Sequence, residues 1–351
     1  MSGTPRIPVS SFPDARGGAT GRPGGGPHQG ALARHHRVLD HASSAGYRFA
    51  PGAAEDGRAE AAQWLRREAP HWLAALRAVA AAGDHRRVME AAGAVYWFSG
   101  HWAGDGPWEE VFARGRDAAR ALGETGAEAA FLNHASWHYS CVLGRRQKAR
   151  ACAVAARSCA RRAGDPVQAA WALLHSALAV SPVDGELAAE EAARAAAEFE
   201  LLHHAEGTLR AVATAARTLS GAGRHEEARP YLERLATLFE EPVDERLRPL
   251  AAPTLAWACL LNGEGMAAAG RWEDAERVYR RGLADLDLAE APGAEVTLCL
   301  GLAGVLRRRL GPTAQGAALL RRALHVAMAA DDVQGAQRVL RALDDWVAAA
   351  R

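Results

Sequence analysis

The sequence predicts an all-α fold. It reads as a right-handed α-α superhelix of about six to seven antiparallel helix pairs, ending in a C-terminal capping helix. Three observations predict it. Ala, Leu and Arg dominate, all good helix formers, while Val and Ile are few, so strands are poorly supported. Short punctuation recurs: Gly223-Arg224-His225-Glu226-Glu227-Ala228 returns as Gly270-Arg271-Trp272-Glu273-Asp274-Ala275, with a weaker copy at Gly144 to Ala149 and a degenerate one at Gly311 to Gly316. The copies stand about 40 residues apart, or about twice that where one has decayed, which is the period of stacked helix pairs.

The elements follow in order. Residues 1–30 are rich in Gly, Pro, Ser and Arg and are expected to form a disordered tail, since they bury too little apolar surface to offset their ordering entropy. Residues 31–82 form an N-terminal helical cap. Its first helix runs through Leu32, His36, Leu39 and Ser43 and stops at Pro51-Gly52; a second stretch carries the stripe Trp64, Leu65, Trp72, Leu73, Leu76 and Val79, with Pro70 marking a kink or break.

The repeat array occupies 83–351. Its pairs are 84–99 with 107–122, 126–143 with 145–162, 166–179 with 184–202, 204–221 with 225–239, 250–268 with 272–288, and 293–310 with 313–329. A last helix over 332–349 caps them. The glycine of each motif suits the left-handed residue that ends a helix, and the acidic residues after it favour the next helix's N-terminal dipole. The closing Ala allows close approach of the paired helices. A large residue four positions on (Leu232, Tyr279, Leu320) fills the facing groove.

These motifs resemble tetratricopeptide repeats. More narrowly, residues 34–351 resemble the C-terminal repeat region of actinobacterial regulators in which a DNA-binding helix-turn-helix and an NB-ARC-type nucleotide switch precede the repeats. The likeness rests on Trp64-Leu65-Arg66-Arg67-Glu68-Ala69-Pro70, on Trp108-Glu109-Glu110, and on the Ala163-Gly164-Asp165, Gly123-Glu124 and Asp331-Asp332 junctions. The resemblance implies a sensing or docking arm. The chain departs from the whole regulator in lacking a P-loop: its one lysine, Lys148, sits in Gln147-Lys148-Ala149. The same single lysine does not support a carboxylate clamp of the chaperone-adaptor type.

Charge and composition narrow the function classes. The totals, 42 basic and 41 acidic residues, give a net charge of +1, and a nucleic-acid face would need a charge segregation that these totals do not show. The cluster Arg145-Arg146-Gln147-Lys148-Ala149-Arg150 is the one candidate for phosphate contact, and it lies across a helix start. No apolar run reaches membrane-span length and no signal-peptide pattern opens the chain, so a cytoplasmic location is expected. The five cysteines (Cys141, Cys152, Cys159, Cys259, Cys299) fall within helical patterns and read as reduced, buried small hydrophobes.

The candidate site is the concave face formed by the first helices of the pairs. His134, His138 and Cys141 are spaced by four and three, which places them on one helical face; two imidazoles at that spacing suit a metal, but no metal or other cofactor is expected, because a ligand-contacting groove wall fits the register better. Counting from the motif glycines adds Trp137, Arg217, Ser220, Trp257, Leu260 and Glu264. Most of the ten tryptophans are expected to be packing residues, with Trp137 and Trp257 the exceptions; Tyr96, Phe98 and His101 lie in the same neighbourhood. The expected activity is non-catalytic and regulatory: binding of a protein or peptide, or else a small ligand. The alternatives are an enzyme or biosynthetic accessory using the pocket at His134, Trp137 and His138, and the stand-alone sensing arm of a split transcriptional regulator.

Overall fold

The computed structural model describes residues 27–50, 53, 56–102, 104, 106–181, 183–238, 252–285, 292–330 and 332–349. Among them there are sixteen α-helices and no strand. Contacts divide the chain into two compact units, Met1–His175 and Ser176–Arg351, with the division inside one helix. The expected disordered tail over 1–30 lies outside the described residues apart from 27–30, which already belong to the first helix.

The first unit holds α1 (Pro27–Tyr47), α2 (Arg58–Arg67), α3 (Ala69–Ala81), α4 (His85–Tyr96), α5 (Trp108–Ala121), α6 (Thr125–Trp137), α7 (Arg146–Ala163) and most of α8 (Pro166–Val180). The break expected at Pro70 falls at Glu68, which closes α2 and opens α3; Pro70 then sits in the first turn of α3, where its missing N–H costs nothing. Across that corner the Trp72 indole donates to the Leu65 carbonyl at 2.9 Å. One continuous core runs from Leu39 through Trp72, Met89, Trp108 and Phe112 to Phe131, so the cap and the first helix pairs bury their apolar faces together. Arg77 of α3 donates through Nε at 2.7 Å to Glu110 of α5, and with Arg114 it holds that carboxyl down at about 2.

The second unit continues with α9 (Gly185–Leu201), α10 (Ala205–Gly221), α11 (His225–Leu238), α12 (Ala252–Ala268), α13 (Trp272–Asp285), α14 (Pro292–Leu310), α15 (Ala314–Ala329) and α16 (Val333–Ala349). Each helix packs on the next, and the first helices of successive pairs pack on one another, α10 on α12 and α12 on α14. That double contact is the arrangement of an α-solenoid.

The punctuation performs as the repeat predicts. Gly223 and Gly270 adopt φ of 76° and 74°, the left-handed conformation that turns one helix into the next. Ala149, Ala228 and Ala275 are fully buried, as are Leu232, Tyr279 and Leu320 four residues beyond the closing motif positions. The degenerate copy has Gly316 in place of alanine, and the cause is a neighbour: a Cβ there would lie 2.1 Å from the Trp346 ring.

Candidate functional site

The first helices of the pairs carry most of the polar side chains that are buried. In the first unit the centre is α6. His134 lies on the ring of Tyr96, the last residue of α4, with centroids 3.4 Å apart and planes 17° apart. Phe112 and Phe131 close around the same imidazole at 5.9 and 6.4 Å. Burial in this aromatic box, helped by the nearby His175, pushes the His134 pKa down to about 3. A base that weak is neutral at pH 7 and is a poor proton acceptor.

Cys141 parts company from His134 and His138, which both meet the Phe112 ring. The α-helix ends at Trp137 and the chain makes a π turn over His138–Val142. A π turn takes one more residue per hydrogen-bonded ring than an α turn, so residues after it rotate off the face that α-helical spacing assigns them. His138 is 3% exposed and meets the edge of Phe112, with its Nδ1 unpartnered, and burial lowers its pKa. Cys141 is exposed, with the Ser140 hydroxyl 3.5 Å from its sulfur. The three residues therefore do not form one surface. Among the described residues, no three His, Cys, Asp or Glu side chains converge as a metal set. Trp137 is half-buried at the end of α6.

The basic cluster after the turn is tied to an acid. Arg145 donates at 2.6 Å to Glu109, the Tyr139 hydroxyl donates to the same carboxylate at 3.0 Å, and Lys148 lies 3.9 Å from it and over the Tyr139 ring. Burial works against the Glu109 charge, but these donors outweigh it and hold its carboxyl below the usual range. Burial and then the Glu109 bond push Tyr139 up to about 12.

In the second unit the centre is the α10–α12 contact. Gly265 of α12 packs against the backbone at Arg217 of α10, since a Cβ at Gly265 would be 3.3 Å from the Arg217 Cα. This approach sets Arg217 Nε 3.9 Å from the Glu264 carboxylate, too long for a hydrogen bond, while the guanidinium donates to the Ser181 hydroxyl at 3.2 Å. Arg217 is half-buried, and Glu264 is 45% exposed with its pKa raised by burial against the opposing pull of Arg217. Ser220, one turn beyond Arg217, is buried with its hydroxyl unpartnered. Leu260 is half-buried; the backbone of Trp257 is helical and its side chain lies outside the described residues.

Sequence reasoning missed two buried amides. Asn133 donates from Nδ2 to the Gln168 carbonyl and side chain at 3.0 and 2.9 Å, joining α6 to α8, and its Oδ1 is unpartnered. Asn262 is 0% exposed, with both amide atoms unpartnered among the described residues. A signal existed for the second. Ser136 and Asn262 both stand eight residues ahead of a motif glycine, Gly144 and Gly270, and both are polar at a register that is otherwise core. Ser136 there donates to the Ala149 carbonyl at 2.8 Å, which shows where that register points. Of the nine tryptophans whose side chains are described, Trp72, Trp108 and Trp346 are buried, and the other six, Trp272 among them, are half-buried.

No protein-family model and no curated protein matches the chain. Among solved structures it is similar to the apo form of the quorum sensor NprR from B. thuringiensis, at 13% identity and a TM-score of 0.47 over 79% of this chain and 80% of that one. It is also similar to a Rap protein complexed with competence and sporulation factor, at 14% identity and a TM-score of 0.44 over 91% of this chain and 97% of that one. No helix of the described residues is long and apolar enough to cross a membrane.

Proposed function

We propose that this protein is a non-catalytic interaction module that binds a peptide, or an extended segment of a partner protein, along the first helices of its pairs. One observation carries the reading: Arg217 and Glu264, on successive first helices, stand opposed at 3.9 Å without hydrogen-bonding each other. A loosely engaged pair of opposite charges exchanges partners at low cost, and an extended peptide offers a carboxylate and an amine or amide at comparable spacing. The buried Ser220 hydroxyl, unpartnered among the described residues, supports it. Such groups are rare because they forfeit water without replacement, and a peptide backbone supplies both donors and acceptors.

The histidines favour binding over chemistry. His134 is held neutral in an aromatic box, and neither it nor His138 hydrogen-bonds a Ser, Thr or Cys among the described residues. We further propose a regulatory, cytoplasmic setting, with the chain acting as the sensing arm for a separate switch protein; the Trp64 to Pro70 and Trp108-Glu109-Glu110 likeness supports that reading.

Selection of peptides from a displayed library against the whole chain, followed by calorimetric titration, tests the site. Arg217→Glu is expected to weaken the selected peptide about tenfold or more, the scale of a lost charge-assisted hydrogen bond. An Arg217→Glu variant that binds the peptide as tightly as the parent would show that the site lies elsewhere.

A further inference from the structure

The corner between α9 and α10 is built from two histidines. Elsewhere a helix ends on a glycine of positive φ, as at Gly83 and Gly164, and an aspartate starts the next. The Asp84 and Asp165 carboxylates each accept the backbone N–H three residues on, from Arg87 at 3.2 Å and from Gln168 at 2.9 Å. His203 and His204 replace that Gly-Asp pair. His203 has φ of 52° and is the one non-glycine residue of positive φ among the described residues. Its N–H and that of His204 still close α9, on the Glu200 and Phe199 carbonyls at 3.0 and 2.9 Å. His204 then caps α10: its Nδ1 accepts from the Gly207 N–H at 3.0 Å.

An imidazole caps on a condition that a carboxylate lacks. A backbone N–H only donates, so the accepting Nδ1 carries no proton and the ring is neutral, with its hydrogen on Nε2. A proton on Nδ1 sets two donors face to face and adds positive charge at the positive end of the α10 dipole. The surroundings favour the neutral ring. His204 is half-buried, 5.3 Å from the Phe199 ring, and Gly207 packs on that same ring, since a Cβ there would lie 2.3 Å from it. Glu206 pulls the other way, but Arg210 engages its carboxylate at 3.0 Å. On α9, Glu198 and Glu200 flank Phe199 in sequence, and Glu200 is bound by Arg234 of α11. Burial outweighs Glu206 and holds the His204 imidazole below the usual histidine range. An aspartate cap has no such threshold, since it stays ionised down to about pH 4.

We propose that this corner is a pH-sensitive joint: neutral His204 holds the first turn of α10, and its protonation in mildly acidic solution releases that turn. The capped corner binds the proton less readily than the released one, so the cap is complete above about pH 6.5 and weakens as pH falls below that value. A non-glycine residue in the left-handed region is held there by the bonds around it, so loss of the cap loosens His203 as well. The joint stands independently of the peptide site proposed above, although it begins the helix that carries Arg217.

Histidine nitrogen NMR and amide hydrogen exchange of the full chain test it. At about pH 7.5 the His204 ring should be the neutral Nε2–H tautomer, and an Nδ1–H or charged ring there overturns the proposal. Protection of the Gly207 amide, corrected for the intrinsic exchange rate, should fall at least about threefold between about pH 7.5 and about pH 5. His204→Asp should keep that protection at both pH values, and His204→Ala should lack it at both; circular dichroism checks that the two variants fold. Protection that pH leaves unchanged in the parent overturns the proposal, as does full protection in His204→Ala. The same loss in His204→Asp as in the parent also overturns it, because the titrating group then lies elsewhere.

Discussion

His134 lies flat against Tyr96, 3.4 Å between ring centroids, and so ties the middle of α6 to the end of α4. The stack has a pH consequence. With the folded pKa at about 3 and the unfolded pKa near 6.5, the unfolded chain binds the proton first as pH falls. Stability is therefore complete above about pH 6.5 and declines as pH drops toward about 3. Even half of that displacement corresponds to about 2 kcal/mol. Urea unfolding at pH 7.5 and pH 5 should show this loss in the parent and a smaller one in His134→Phe, which keeps the stack without the titrating nitrogen. Equal losses in both would assign the pH dependence to other groups.

The glycines within helices divide by what stands opposite them. A Cβ at Gly115 would be 2.4 Å from the Phe131 ring, whereas at Gly304 it would meet nothing within 4 Å. Gly115→Ala should destabilise by about 1–3 kcal/mol through overpacking. Gly304→Ala should stabilise by about 0.5–1 kcal/mol through helix propensity. Thermal unfolding of the two variants should move in opposite directions. A stabilised Gly115→Ala would mean that Phe131 can vacate its place at little cost.

These two cases show which parts of the molecule were readable from the sequence. The helix pairs were, because period, glycine caps and small closing residues act locally: Gly223 and Gly270 turn the chain by their own backbone preference, and Ala228 and Ala275 are buried where the motif puts them. The site was readable only as far as α-helical counting holds. Arg217 and Glu264 share a register and do meet. His138 has the same register, six residues before its glycine, yet it is buried, because the π turn beginning at that residue changes the rotation per residue. Nothing in the spacing of His134, His138 and Cys141 announces that turn. Partners distant in the chain, such as Tyr96 for His134 and Gln168 for Asn133, depend on packing between helices that a periodic pattern does not specify.

The Arg217–Glu264 pair should matter little to stability. Glu264 is almost half exposed and the two groups lie beyond hydrogen-bond distance, so water screens what attraction they have. Glu264→Gln is expected to change unfolding free energy by less than about 0.5 kcal/mol. Peptide binding should weaken in the same variant. If chemical denaturation instead shows a loss above about 2 kcal/mol, the pair is a structural clasp and not a site waiting for a partner.

Asn262 offers the sharpest separation of folding from binding. Its side chain is fully buried, and neither its oxygen nor its nitrogen has a partner among the described residues. Leaving a buried amide unsatisfied costs about 1–3 kcal/mol, and an apolar group of similar shape removes that cost while keeping the volume filled. Asn262→Leu should therefore raise the stability of the free protein by about 1–2 kcal/mol. A residue kept solely for packing would gain by this change and lose nothing. Asn262 shares the register of Ser136, which points at the second helix of its pair, so a gain in stability with peptide affinity unchanged is the expected result. Unfolding curves and peptide titrations on the same preparation read both quantities. A variant that is less stable than the parent would indicate that Asn262 is already satisfied inside the fold, and lost peptide affinity would place it in the site.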